Sequence, residues 1–475
     1  MICLILVGGL IWLTRTWFDF TAPIIRLEPE TGLLGVKQQF TLALSDEKSG
    51  LSQVKVWLRQ GEHQKEILSQ NFPGRRLGWG GQEHQTQLAF EIDTKAWGFQ
   101  EGPAALHVEA RDFALMGWFR GNRAELVRPL TIDLTPLRLS VISINEFLNQ
   151  GGTGLVTYTV NKPVAKTGLL VNGVFFPGYR VKGKEGGHFL AFFAIPYDLP
   201  RPLTLELMAE DLSGTTLRTK LLYRLKPRRW RMDTLQISDA FLQQKLAEFQ
   251  DMNPEFKKLS DPLAVFLQVN QQERLRNDQF ILELCRESQP EPLWQGPFVR
   301  LPRSKPMASF ADHRTYKYQG REIDKQVHLG QDLASLERAE VPAGNGGLVI
   351  FTGNLGIYGN TIVLDHGLGI FSLYSHLSEI KVSKNQKVQK GDILGHTGAT
   401  GMAGGDHLHF AVAIHGHFVN PVEWWDAHWL KDQVYRQFAL AGLPVPKITA
   451  TSSPEDTPAA ASPAPGSPKK KKKRP

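Results

Sequence analysis

The chain has 475 residues, beyond the length at which one hydrophobic core usually stops growing, so roughly three domains are expected. An apolar fraction of 41% with 21% charged residues excludes a wholly disordered polymer, and 44 Gly with 29 Pro predict a turn-rich, mainly β chain. Of the formal charge of +8, +4 belongs to residues 451–475, too weak a remainder for a nucleic-acid binder, and two cysteines, Cys3 and Cys285, exclude a disulfide framework and a thiolate zinc site.

Residues 1–18 open with an uncharged apolar run, MICLILVGGLIWL, which reads as a membrane anchor or export signal. As a helix, Met1 to Leu13 reaches about 20 Å, short of a hydrocarbon layer of about 30 Å. Either the flank to Phe18 contributes or the start lies upstream. No small-x-small cleavage site follows Leu13, so a retained anchor is expected.

Residues 19–132 and 133–230 read as an internal repeat. Asp19-Phe20-Thr21-Ala22-Pro23 and Asp133-Leu134-Thr135-Pro136 begin the two units, and Leu106–Asp112 and Leu205–Asp211 share period-2 alternation with a closing Ala-x-Asp. Short alternating strands such as Gln53–Leu58 and Gly154–Val160 predict two β-sandwiches. They resemble the immunoglobulin-like modules of bacterial surface proteins, although no Cys–Trp–Cys core is present, and they are expected to act as spacers.

Residues 231–300 read as a helical connector. Phe241, Leu242, Leu246 and Phe249 follow a Ser238 cap at helical spacing, and a second helical stretch runs from about Pro262 to Arg286 beyond the Asn253-Pro254 break. Strand patterns return over 301–430. A terminal helix is expected over 431–446, then a disordered tail over 447–475 tipped by Lys469–Lys473 and Arg474.

Ten of the 14 histidines fall between His313 and His428. In His407-Leu408-His409 successive strand residues alternate faces, so both imidazoles project to one side while Leu408, Phe410 and Val412 face the other. His328 and Asp332 have i, i+4 spacing. That suits a helix face, but Gly330 disfavours a helix interior, and a strand running into a turn would also converge them. Two neutral imidazoles and a carboxylate are a set typical of catalytic zinc, leaving a position for water.

His328-x-x-x-Asp332, Tyr374-Ser375-His376-Leu377-Ser378, Lys390-Gly391-Asp392-Ile393-Leu394-Gly395 with Gly398 and Gly401, and His407-Leu408-His409-Phe410 together resemble the lysostaphin-type (LytM) zinc metallopeptidase family. The resemblance covers about residues 325–425. It implies a mostly antiparallel β-fold with an open groove, one Zn²⁺ held by His328, Asp332 and His409, and catalytic roles for His376 and His407. His366 is expected to be structural, and His396, His415, His417 and His428 to lie on the surface. Asp406, next to the site, should point away from His407.

The implied function is a zinc endopeptidase cutting stem peptides or cross-bridges of bacterial peptidoglycan. It would sit in the cell envelope, anchored in the cytoplasmic membrane with the catalytic domain outside, and without a nucleic-acid partner. The alternative is a non-catalytic LytM-like module that binds or activates other cell-wall hydrolases. Retention of all five expected positions favours the enzyme.

Overall fold

The computed structural model describes residues 19–75, 80–115, 120–183, 187–199 and 202–445. The expected anchor at 1–18 and tail at 447–475 lie outside the described residues. Among those described, no helix is long and apolar enough to cross a membrane. The chain is mainly β and multidomain.

In the first β unit, strand Lys37–Ser45 alternates buried and solvent-facing residues, as a strand with one apolar face should. It forms a three-stranded sheet with Ile24–Glu28 and Gln85–Asp93. A five-stranded sheet comprises Leu33–Leu34, Arg123–Ile132, Gly102–Asp112, Leu51–Gln60 and His63–Asn71. Phe40, Leu42 and Leu44 of one sheet share a core with Val54, Val56, Leu58, Leu106 and Val108 of the other. Each such buried side chain contributes about 1.5–3 kcal/mol.

The second unit repeats this layout. One sheet holds Leu139–Ile144, Thr153–Val160, Gly187–Ala194 and Tyr179–Arg180, the other Val174–Pro177, Val164–Val171, Leu205–Asp211 and Thr216–Lys220. It does not stand off as a spacer. Leu155, Phe192 and Phe193 belong to the same buried core as Tyr374, Phe410 and Trp424 of the C-terminal region, and Phe192 packs against Trp424 and Phe438. The apolar surfaces of the two parts cover each other, which holds them as one body.

The C-terminal sheet runs in the order Lys305–Ala308, Gln331–Ala334, Leu408–Ile414, Ile370–Ser375, Asn360–Gly367, Gly347–Asn354, Lys387–Val388, with antiparallel neighbours throughout. Its central strands are buried on both faces. Ile370, Tyr374, Leu408, Phe410, Val412 and Ile414 join the core shared with the second β unit. Their alternates Phe371, Leu373, Ala411 and Ala413 pack under helices. By the same parity His407 and His409 belong to the helical side.

Those helices are Asp239–Asp251, whose N-cap Ser238 Oγ accepts from Phe241 N, and a run from Pro262 to Leu284 interrupted by a π-helical turn at Val269–Glu273. The expected connector differs at its start: Met232–Ile237 is a strand, paired in parallel with Asp312–Tyr318. A hairpin edge drew this alternating segment into a sheet. Residues Ala427–Leu440 are helical, with a π-helical middle.

His415 is not on the surface, contrary to expectation. Its ring is buried and stacks on Tyr179 of the second β unit at 5.9 Å, with Tyr179 Oη 3.1 Å from Nε2. Glu423 is also buried, its Oε1 accepting from Asn149 Nδ2 and its Oε2 from Thr153 N, both at 2.8 Å. Burial pushes the Glu423 carboxyl up from 4.5 to about 7, against the lowering effect of those two bonds. A raised carboxyl holds its proton in the folded state after the unfolded chain has released it. The contribution of this group to stability should therefore be fully present below pH 4.5 and be lost as pH rises towards 7, by on the order of 3 kcal/mol. Glu423→Gln should flatten that slope, read as unfolding free energy against pH in urea. An unchanged slope would remove Glu423 as its source.

Candidate active site

Strand Arg321–His328 ends on His328, Leu329 and Gly330 make the turn, and strand Gln331–Ala334 begins at once. The i, i+4 pair is thus a strand–turn–strand pair and not a helix face. Antiparallel register then sets Asp332 opposite His409, and His409 opposite Ser375 on its other side. Gly330 lies against the His409 ring: a Cβ there would sit 2.5 Å from Nε2 and 2.9 Å from the Phe410 carbonyl oxygen. Any larger residue would displace the imidazole.

His328 Nε2, Asp332 Oδ1 and His409 Nδ1 converge, with 2.9 Å between each pair. All three residues are buried. His328 Nδ1 lies 2.9 Å from the Ser309 carbonyl oxygen, a partner that can only accept, so Nδ1 carries the proton and Nε2 presents a lone pair. His409 Nε2 is buried without a partner. Three electron-rich atoms therefore face one point, where one proton could serve only part of the contacts. A cation serves all three, so the donor set fits a zinc ion.

Burial alone would raise the Asp332 carboxyl, yet the adjoining His328 and His409 hold it well below its ordinary value. Burial lowers His409 to about 4, keeping its ring neutral as a ligand must be. Asp332 Oδ2 accepts from Arg314 Nη2 at 2.9 Å, which leaves Oδ1 for the converging point. Arg314 has no sequence signal. It lies in another strand, and only the pairing of Asp312–Tyr318 with Arg321–His328 brings it here.

His376 and His407 flank the triad. Their ring centroids are 4.8 Å apart, and His376 is 5.8 Å from His409. His376 donates from Nδ1 to the Thr400 carbonyl at 2.8 Å and His407 from Nδ1 to the Gly405 carbonyl at 2.9 Å. Each ring therefore has its Nε2 lone pair available, and that of His407 lies 3.7 Å from Asp332 Oδ1. Burial, then the neighbouring His407 and His409, hold His376 well below its ordinary value, so it is neutral. His376 has φ 63, a left-handed conformation costly for a residue with a Cβ, and its N–H donates to the Tyr358 carbonyl.

Thr400 sits in a loop gripped by the first helix. Lys245 Nζ donates to the Ala399 carbonyl at 2.6 Å and to Glu248 Oε2 at 2.8 Å, and Glu248 Oε1 accepts from Gly401 N. The connector thus braces the partner of His376. Lys245 and Glu248 carry no motif, and a charged pair on a helix reads as a solvated face.

Asp406 accepts from Thr397 Oγ1 at 2.6 Å and from Arg338 N at 3.1 Å, tying two loops together. His366 is buried between the Gly346 carbonyl and Ser372 Oγ, with burial lowering it to about 4. It lies apart from the triad's contacts.

Residues 326–421 match peptidase family M23, so the C-terminal part of the chain is an M23 peptidase domain. The chain is 37% identical over 97 residues to the DD-carboxypeptidase/endopeptidase Mpg of Neisseria meningitidis serogroup B, covering 20% of this chain and 22% of that protein. It is 38% identical over 103 residues to the peptidoglycan DD-endopeptidase ShyA of Vibrio cholerae serotype O1, covering 21% and 24%. It is also 34% identical over 95 residues to the murein hydrolase activator EnvC of Escherichia coli K12, covering 20% and 23%. The chain thus spans about a quarter or less of the length of these relatives.

Proposed function

We propose that the M23 domain is a zinc endopeptidase that hydrolyses peptide cross-links of peptidoglycan, with the metal on His328, Asp332 and His409. The observation that carries this reading is the convergence of three lone-pair atoms at 2.9 Å on a point no single proton can satisfy. Bound zinc would supply Lewis-acid polarisation of the scissile carbonyl and a water acidic enough to ionise near neutral pH.

The protein's own residues do the rest. The Nε2 atoms of His376 and His407 take the proton from the attacking water and return one to the oxyanion or leaving amine. Arg314 fixes the Asp332 carboxylate, and Ser309 fixes the His328 tautomer. The D,D bond named for two of the relatives is the cross-link assigned to this site. Such a substrate places the enzyme in the cell envelope, with residues 1–18 as its anchor in the cytoplasmic membrane. Residues 19–132 and 133–230 are taken as two immunoglobulin-like units, the second serving as a platform for the catalytic sheet.

An activator role, which similarity to EnvC brings forward, requires no hydrolysis by this chain. Purified protein is added to dye-labelled peptidoglycan with no other hydrolase. Release that disappears with His376→Ala supports the enzyme, whereas release only after adding a second hydrolase, unaffected by His376→Ala, supports the activator.

The bracing helix provides a further check. Lys245→Met should leave zinc content unchanged while turnover falls by up to about 10²-fold, the scale of a misplaced catalytic group. Full turnover in this variant would show that the loop holds His376 unaided.

A further inference from the structure

A second group of buried carboxylates lies far along the chain from the peptidase, in the first β unit. Asp19 precedes strand Ile24–Glu28, Asp46 follows strand Lys37–Ser45, and Asp112 ends strand Gly102–Asp112. All three are buried, and one oxygen from each lies within 4.8 Å of the others. The ion pair given to them among the described residues is Lys48 to Asp19 at 3.6 Å, from a side chain that is 53% exposed. Asp46 is 4% exposed, and both its side-chain bonds, from Ser49 Oγ and Gly50 N, go to Oδ1. Among the described residues no donor reaches Oδ2.

The internal repeat supplies an independent comparison. Ile24 pairs with Ser45 and Leu51 with Asp112 in the first unit; Leu139 pairs with Val160 and Val164 with Asp211 in the second. Asp19 therefore corresponds to Asp133, Asp112 to Asp211, and Asp46 to Asn161. Local bonding agrees, since Asp112 Oδ1 accepts from Ala114 N and Asp211 Oδ1 from Ser213 N. In the second unit the space between the two aspartates is filled by a cation. Lys162 Nζ lies 3.1 Å from Asp133 Oδ2 and 2.6 Å from Asp211 Oδ2, with its side chain only 10% exposed.

The first unit keeps both aspartates and adds a third acid where the second unit turns towards its lysine. From this difference we infer that Asp19, Asp46 and Asp112 form a calcium site, in which a divalent ion takes the place that the Lys162 ammonium holds in the second unit. The donors are all oxygen, which selects a hard cation over zinc, and three carboxylates match the charge that calcium sites use. With the exposed Lys48 ammonium reaching Asp19 alone, the buried carboxylates would otherwise repel one another. Ser49 Oγ, already bonded to Asp19 Oδ2, lies beside the cluster as a further oxygen. The ion would pin the segment entering at Asp19 to the ends of two strands, one in each sheet.

The test uses the full-length, zinc-loaded chain, dialysed into calcium-free buffer and titrated with CaCl₂ under calorimetry and thermal unfolding, with MgCl₂ as comparison. One calcium should bind per chain, with a dissociation constant of about 10⁻⁴–10⁻³ M, the range of extracellular modules. The melting temperature should rise with calcium. Asp46→Asn should weaken binding about 10-fold or more. Asp46→Lys, which brings an ammonium to the two aspartates from the position before the equivalent of Lys162, should melt higher than the parent in calcium-free buffer and lose the calcium response. A parent chain with neither binding heat nor thermal shift at tens of millimolar calcium would overturn the site. So would an Asp46→Lys chain that responds to calcium like the parent, and this arm decides the matter if Asp46→Asn does not fold.

Discussion

His409→Ala should lose both zinc and hydrolysis. The substitution leaves two protein ligands on a metal that needs three for a catalytic site, and it removes the Nδ1 that meets His328 Nε2 and Asp332 Oδ1 at 2.9 Å. His328→Ala and Asp332→Ala should behave alike, since each supplies one of the three converging atoms. Arg314→Ala gives the contrast. It frees Asp332 Oδ2 but keeps every ligand, so zinc affinity should weaken by about 10–100-fold, as loss of a ligand's outer partner does. Metal content by mass spectrometry after dialysis against limiting zinc reads both effects. Stoichiometric zinc at native affinity in His409→Ala would refute the ligand assignment.

His376→Ala and His407→Ala should retain zinc and lose turnover by about 10²-fold or more each, the scale of general acid–base and oxyanion contributions. Neither ring belongs to the converging set, yet His407 Nε2 lies 3.7 Å from Asp332 Oδ1 and the His376 ring 5.8 Å from that of His409. Because the two imidazoles serve one proton circuit, the double variant should be little worse than either single one. His376→Ala keeps a Cβ at φ 63 and so leaves the backbone cost there unchanged, and its fold should survive. Full activity in either variant would remove that residue from the mechanism.

Much of the site was legible because a strand has a strict period of two. His407-Leu408-His409 predicts two imidazoles on one side and Leu408, Phe410 and Val412 on the other, and the last three do join the core opposite the helices. The His328/Asp332 spacing was ambiguous in sequence, and strand pairing settles it as a turn. What escaped the sequence were relations between distant segments. Phe192 and Trp424 are 232 positions apart, so no local pattern shows that the second β unit and the catalytic sheet share a core. His415 looked like a surface residue because Tyr179, its cover, belongs to another unit. Met232–Ile237 alternates like any edge strand, but its partner lies beyond the helices between Asp239 and Leu284. Lys245 and Glu248 carry no motif, and only the closing of the loop over 399–401 on them shows what they hold.

The central claim is hydrolysis of a peptidoglycan cross-link by this chain's own zinc site, and mass spectrometry of a digest tests it most directly. Purified, cross-linked peptidoglycan is incubated with the zinc-loaded full chain and with its His409→Ala variant. The products are then released by a muramidase and weighed. The parent chain should convert cross-linked muropeptide dimers into monomers, each cut adding one water, while the variant leaves the dimers intact. Unchanged dimers with a parent chain shown to carry one zinc would contradict the account.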